Sequence, residues 1–432
     1  MRIVVNVAVI FRGFRVSALA VVLGAANCVL SQPPPAYVPV DAWLQGSARQ
    51  DFPWQVHVET GLLTFQQRHL AQIRTTFPIS RLLRAGVSLP DLHIITKFGT
   101  EDGRWFPGQC YSRFVPPPGL SPRDRVASYA SVYLRPGRYK VGVMAYDSLH
   151  RRGNLWKGEL VITREKDDPL PDLDADLPQI DYPASIQPPS GGDANLTTLA
   201  HPGGFGEGKL RLPVGNRRPI QVDVVVNLSP SALTPERMYY HRNAIFLLQV
   251  SNVLSQLDFK SGCVRFSAID ILRQKTFAVG EVGPSVDWDN VITTLQATEP
   301  NKIDAHALAS QKVAPSLFSK FLQEVIAKPS SCGEDGQESK HVLIVVSDAF
   351  LFPQQTQMAA IDAHSLPDVR CYYLEMEPVV GVRFDEIARV LKPLHPERFP
   401  LVHPAQFRRA LSQIVSEMEK NEFYGGPAPS DR

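Results

Sequence analysis

The stretch that most constrains this chain is Gln221–Ser231, QVDVVVNLSPS. Val222 and Val224–Val226 form a β-branched run broken only by Asp223, and such a run suits a strand buried on both faces, as in the middle of a parallel sheet. It ends in Asn227-x-Ser229-x-Ser231, after which Thr234-Pro235-Glu236 reads as a helix start: a cap, a proline in the first turn and an early acid. Phe246, Val250, Val253 and Leu257 then follow at 4-3-4 spacing, which predicts a long helix with one apolar face. The small oxygen-bearing side chains therefore sit on a strand-to-helix loop. In open α/β sheets ligands bind outside the carboxyl ends of the strands.

The rest of the second half repeats the theme. His341–Val346, HVLIVV, is another apolar strand and runs into Ser347-Asp348. Cys263–Leu272 with Thr276–Val279, then Val369–Glu375 and Phe399–Val402, read as further strands. Trp288–Leu295, Asp304–Ile326, Phe384–Leu391 and Pro404–Lys420 read as helices, the first of these short and the second interrupted by Pro315. Phe407, Leu411, Ile414 and Met418 mark the core face of the last one. Alternation of this kind predicts an α/β doubly wound, mainly parallel sheet.

The strand, the N-x-S-x-S loop and the later strand ending in Ser-Asp resemble the von Willebrand factor type A domain, of the secreted kind found in Acidobacteria. The resemblance covers roughly residues 211–420. It implies a Rossmann-like α/β domain that holds one divalent cation through D-x-S-x-S, a threonine on a second loop and an aspartate on a third. Ser229, Ser231 and Asp348 match that pattern as metal ligands. Asn227 stands where the family has aspartate, which removes a negative charge. Aligning Ala307-Leu308 with the family's Ala-Leu puts Lys302 near the threonine position, where an ammonium would repel a divalent ion; Thr298, four residues earlier, is the other register. The resemblance thus implies a degenerate ligand-binding site of Asn227, Ser229, Ser231, Lys302 and Asp348. It works without a cofactor, or takes Mg²⁺ or Mn²⁺ weakly. The alternative reading of the serines is plain helix capping and turn formation.

Upstream, residues 52–163 carry short strands punctuated by Pro-Gly and Asp/Gly turns, which predicts an all-β, immunoglobulin-like sandwich with Trp105, Tyr146 and Trp156 as core candidates. Residues 1–31 read as an export signal: Arg2, Arg12 and Arg15 precede an apolar Val16–Val22 segment and a small-residue Gly24-Ala25-Ala26. Residues 32–51 are a proline-rich spacer, 164–206 an acidic and proline-rich linker, 207–422 the α/β domain and 423–432 a disordered tail.

A net charge of +2 with no basic block points away from nucleic acid. The five cysteines show no paired spacing, so buried thiols are expected at Cys263 and Cys371. His364, His395 and His403 lack zinc-ligand spacing. Ser229 lacks the G-x-S-x-G frame of a nucleophile elbow, having Leu228 and Pro230 beside it. The expectation is an exported, secreted or periplasmic, non-enzymatic module that binds a protein or cell-surface ligand, with membrane contact only through an uncleaved signal. An envelope hydrolase using the strand-end cleft, or a scaffold with no loop-specific ligand, are the alternatives.

Overall fold

The computed structural model describes residues 21–25, 38, 40–78, 80, 91–114, 125–182, 210, 212–216, 218–229, 240–271, 274–283, 286–288, 290–291, 314–328, 339–350, 357–366, 368–376 and 385–420. The chain divides into two compact units. The first comprises residues 1–59, 72–131 and 139–160; the second comprises 60–71, 132–138 and 161–432.

The first unit is built on strands β1 (Val21–Ala25), β2 (Arg49–Gln50), β3 (Gln55–Leu63), β4 (His69–Pro78), β5 (Leu92–Thr100), β6 (Cys110–Phe114), β7 (Arg125–Leu134), β8 (Gly137–Asp147) and β9 (Arg152–Ile162), of which residues 60–63, 69–71, 132–134, 137–138 and 161–162 are counted with the second unit, with helix α1 (Val40–Gln45) near its start. One sheet runs β1-β7-β4-β3 and a second runs β2-β9-β8-β5-β6. Gly24 and Ala25 of the small-residue stretch read as a signal cleavage region lie in β1, which pairs in parallel with Arg125–Tyr129. Strand β5 is flanked by β6 and β8, both antiparallel to it. Its successive side chains point to opposite faces, as a strand's must. Ile94 joins Phe52, Phe77, Leu92, Phe114, Val126 and Ala145, whereas Ile95 joins Val38, Val40, Leu44, Met144 and Leu155. Both faces of this sheet are therefore covered, the second by α1. Trp105 and Tyr146 pack at the edge of that second cluster, and Trp156 is partly exposed.

In the second unit follow β10 (Ile180–Asp181), β11 (Leu212–Val214), β12 (Ile220–Asn227), α2 (Tyr240–Ser255), β13 (Leu257–Phe259), β14 (Gly262–Asp270), β15 (Lys275–Val282), α3 (Ala314–Ala327), β16 (Lys340–Asp348), β17 (Val369–Met376), α4 (Glu386–Leu391), β18 (Glu397–Leu401) and α5 (Pro404–Lys420). Six strands form one sheet in the order β15-β14-β12-β16-β17-β18. Strand β12 is central and parallel to both neighbours, and all eight of its residues are buried. Val222, Val224 and Val226 pack with Leu247, Val250 and Leu254 of α2 and Phe407, Leu411 and Ile414 of α5. Val225 packs with Phe318, Leu322 and Val325 of α3 and Ile387 of α4 on the opposite face. Helix α2 ends at Ser255, so Leu257 belongs to β13 and not to the helix that the 4-3-4 spacing predicts. Pro315 stands at the start of α3, where its missing N–H costs nothing; residues 304–313, over which the expected helix would precede it, lie outside those described.

These proportions correct the expected fold class, an α/β doubly wound von Willebrand A or Rossmann-like domain behind an immunoglobulin-like sandwich. Strand accounts for 47% of the described residues and helix for 23%, a mainly β architecture. A doubly wound layer needs a helix at each parallel crossover. Here β14 turns directly into antiparallel β15, β11 and β13 form a separate two-stranded ribbon, and the described helices are few.

The expected linker is also different in kind over its first part. Arg408 of α5, itself buried, forms an ion pair with Asp168 at 2.8 Å and donates from Nη2 to Leu170 O at 3.0 Å. Arg164 pairs with Asp174 at 3.0 Å, and Leu173, Leu177 and Tyr182 are buried. Asp168 and Asp174 are thus anchoring groups, while Asp167, Asp172 and Asp176 are exposed; residues 183–209 lie outside those described.

Candidate functional site

The carboxyl end of β12 gathers three of the five residues singled out in the sequence. Because β12 and β16 are parallel and in register, Asn227 lies directly opposite Ser347. The amide of Asn227 is fully engaged there. Its Nδ2 donates to Ser347 Oγ at 3.0 Å, while Oδ1 accepts from Ser229 N at 3.0 Å and Ser229 Oγ at 2.6 Å. Ser229 Oγ in turn accepts from Ile271 N at 2.6 Å, tying the end of β14 to the loop. Ser347 Oγ donates to the carbonyl of Asp348 at 2.7 Å, and Asp348 is itself 2% exposed. Ser231, Lys302 and Thr298 lie outside the described residues.

This geometry decides how the oxygens are used. In a metal site of the adhesion type, serine hydroxyls and a carboxylate present lone pairs to a hard cation. Here Ser229 spends its proton on Asn227 and a lone pair on a backbone N–H, so the side chains satisfy one another. Among the described residues no cluster of three or more His, Cys, Asp or Glu side chains is arranged to hold a metal ion. The same contacts leave Ser229 oriented by an amide rather than by a base, which is not the arrangement of an activated nucleophile.

A second polar cluster sits at the amino end of the same strand, and sequence reading missed it. Asp223 is fully buried and accepts two hydrogen bonds from Arg265, Nε to Oδ1 at 2.7 Å and Nη2 to Oδ2 at 2.7 Å. His341 Nε2 and Gln221 Nε2 also meet Oδ2. Arg265 continues to Val325 O at 2.9 Å and Lys328 O at 3.3 Å, capping the last turn of α3. Burial pushes the Asp223 carboxyl up, but the hydrogen bonds from His341 and Arg265 outweigh it and hold the group below the usual aspartate value. The signal was available: a carboxylate in a central strand requires a cation in register, and Arg265 is the residue paired with Asp223 on β14.

A third cluster follows β17. Asp385 caps α4, accepting from Ile387 N and Phe350 N, each at 3.0 Å. Burial raises its carboxyl above the ordinary value, and burial likewise raises the Tyr373 phenol. Arg398 donates to Glu375 at 2.8 Å and stacks over Tyr373 at 5.6 Å.

The cysteines correct the sequence expectation in part. Cys110 and Cys263 are disulfide-bonded, so Cys263 is not a free buried thiol. Cys371 is one, and burial pushes it up to about 12. No described helix is long and apolar enough to cross a membrane.

No family model matches the chain, and no curated protein matches it. Among solved structures, a family 123 glycoside hydrolase from Clostridium perfringens aligns over 81% of this chain and 72% of that chain, at 6% identity and a TM-score of 0.23. At that score the likeness carries no argument about fold or activity.

Proposed function

We propose that this is an exported, non-enzymatic module that recognises a protein or cell-surface ligand through the loops at the carboxyl end of its six-stranded sheet. The observation that carries the reading is the closed network of Asn227, Ser229 and Ser347. It fixes the roots of the β12 and β16 loops while using up the Asn227 amide and the Ser229 hydroxyl, which metal binding or nucleophilic catalysis would need. Disulfide-bonded Cys110 and Cys263 support export, because such bonds persist in oxidising compartments. The site is then a degenerate counterpart of a metal-ion-dependent adhesion site, with Lys302 and Ser231, which lie outside the described residues, as further ligand contacts.

Two linked measurements test this. Envelope proteins retained by the immobilised wild type are lost with Lys302→Glu and retained in the presence of a chelator; identical retention by both proteins sinks the recognition reading. Millimolar Mg²⁺ or Mn²⁺ leaves the melting temperature unchanged, although an ion at one hundred times its Kd would stabilise by about 2.7 kcal/mol. Asn227→Asp with Lys302→Thr together should create a metal-dependent rise, and Asn227→Asp alone a smaller one. Wild-type stabilisation by Mg²⁺ that disappears in Asp348→Ala overturns the metal-free site.

A further inference from the structure

A surface cleft of about 540 Å³ lies beside α4 and the start of β18, lined by Ala388, Arg389, Lys392, His395, Pro396 and Arg398. Four of the six lining residues carry cationic or protonatable side chains. Their carboxylate neighbours lie beneath them. Glu375, Asp385 and Glu386 keep side-chain exposures of 11%, 8% and 11%, while Arg389 and Arg398 keep 41% and 47%. Formal charges nearly cancel, yet the charge presented to solvent is positive.

Both guanidinium groups are held in place before any ligand arrives. Arg398 is fixed by Glu375 at 2.8 Å and by the face of Tyr373. Arg389 is fixed by Gln357 at 2.6 Å and only loosely by Glu386, at 3.4 and 3.5 Å. Lys392 and His395 are exposed and make no ion pair among the described residues. His395 adopts the left-handed backbone at φ 47°, ψ 57°, uncommon for a residue with a side chain, and its N–H caps Lys392 O at 3.0 Å. A pre-ordered pair of planar forks lining the same cleft as an ammonium and an imidazole suits a tetrahedral oxyanion, which accepts several charge-assisted bonds at once.

We propose that this cleft binds a phosphate group, with Arg389 and Arg398 as fixed donors and Lys392 and His395 closing on it. The site is separate from the strand-end network and stands or falls independently of the recognition reading above. Calorimetric titration of the full chain with inorganic phosphate, at constant ionic strength, should show saturable binding with a Kd of about 1 mM or tighter. Glycerol 3-phosphate in a parallel titration distinguishes the sources: tighter binding than inorganic phosphate assigns the cleft to a phosphate ester, equal binding to the free ion. Lys392→Gln with His395→Gln should weaken either by about tenfold or more. Arg389→Gln, a second variant that leaves the Glu375–Arg398 pair intact, should do the same, while Lys320→Gln on α3 should change nothing. Absence of saturable binding, or the same Kd in the wild type and the Lys392/His395 variant, overturns the proposal.

Discussion

Strand β12 buries a polar group near each end, and the two are built on opposite electrostatic plans. At the amino end Asp223 is a charged hub with Arg265 and His341 around it. At the carboxyl end Asn227 is a neutral hub with two serines around it. Both lie on the same face of the strand, four residues apart, and both are fully buried. The difference teaches what each end is for. A buried carboxylate is tolerable only when it is fully compensated, and here the compensation also caps α3 and locks three strands in register. An amide needs no counter-charge, so the carboxyl end can be closed without a cation of any kind.

The sharpest way to break this comparison is to remove the cation. Arg265→Ala leaves Asp223 buried and uncompensated and strips the carbonyls of Val325 and Lys328, and should cost about 3–5 kcal/mol in urea unfolding. Arg408→Ala tests whether another buried ion pair behaves alike: it should cost a similar or slightly smaller amount, about 3 kcal/mol, and should open residues 164–182 to a broad protease that leaves them intact in the wild type. Asn227→Ala, by contrast, removes only neutral hydrogen bonds and should cost about 1–3 kcal/mol. If it costs as much as Arg265→Ala, the two ends of β12 do not differ in kind.

The titrating groups sharpen the contrast further. Asp223 is held below its unfolded value, so its contribution is fully present above about pH 3.9 and is lost as pH falls through the folded value. Asp385 is shifted the other way: its contribution is present below the unfolded value and lost as pH rises through the folded one. Asp223→Asn should therefore flatten the acid limb of the stability curve, while Asp385→Asn, which keeps an acceptor for Ile387 N, should give a small gain at neutral pH. Urea midpoints measured between pH 3 and 7, on about half-unit steps, check both signs. Parallel slopes in the two variants would show that neither carboxyl governs the limb assigned to it.

Much of the second unit is legible in the chain. Val222–Val226 and His341–Val346 could only be buried strands, because their branched side chains have no polar alternation to offer a wet face. The face of α5 follows from Phe407, Leu411, Ile414 and Met418 at helical spacing, and all four are fully buried. The oxygen-rich loop after β12 was visible for the same reason, as a change from apolar to small polar residues at a strand's end. What the sequence could not weigh was the share of β-structure in the whole, since turn signals do not say how far each strand continues or that a sheet is covered on both faces. Nor could it turn Asp168 from a solvated linker acid into the partner of Arg408, 240 residues away. Register decides such matters: Asp223 meets Arg265, and Asn227 meets Ser347, only because parallel strands align them, and hydrogen-bond direction then decides whether Ser229 faces a ligand or its own strand. Composition and periodicity determined which segments are buried; which polar groups satisfy one another was decided only when the chain closed on itself.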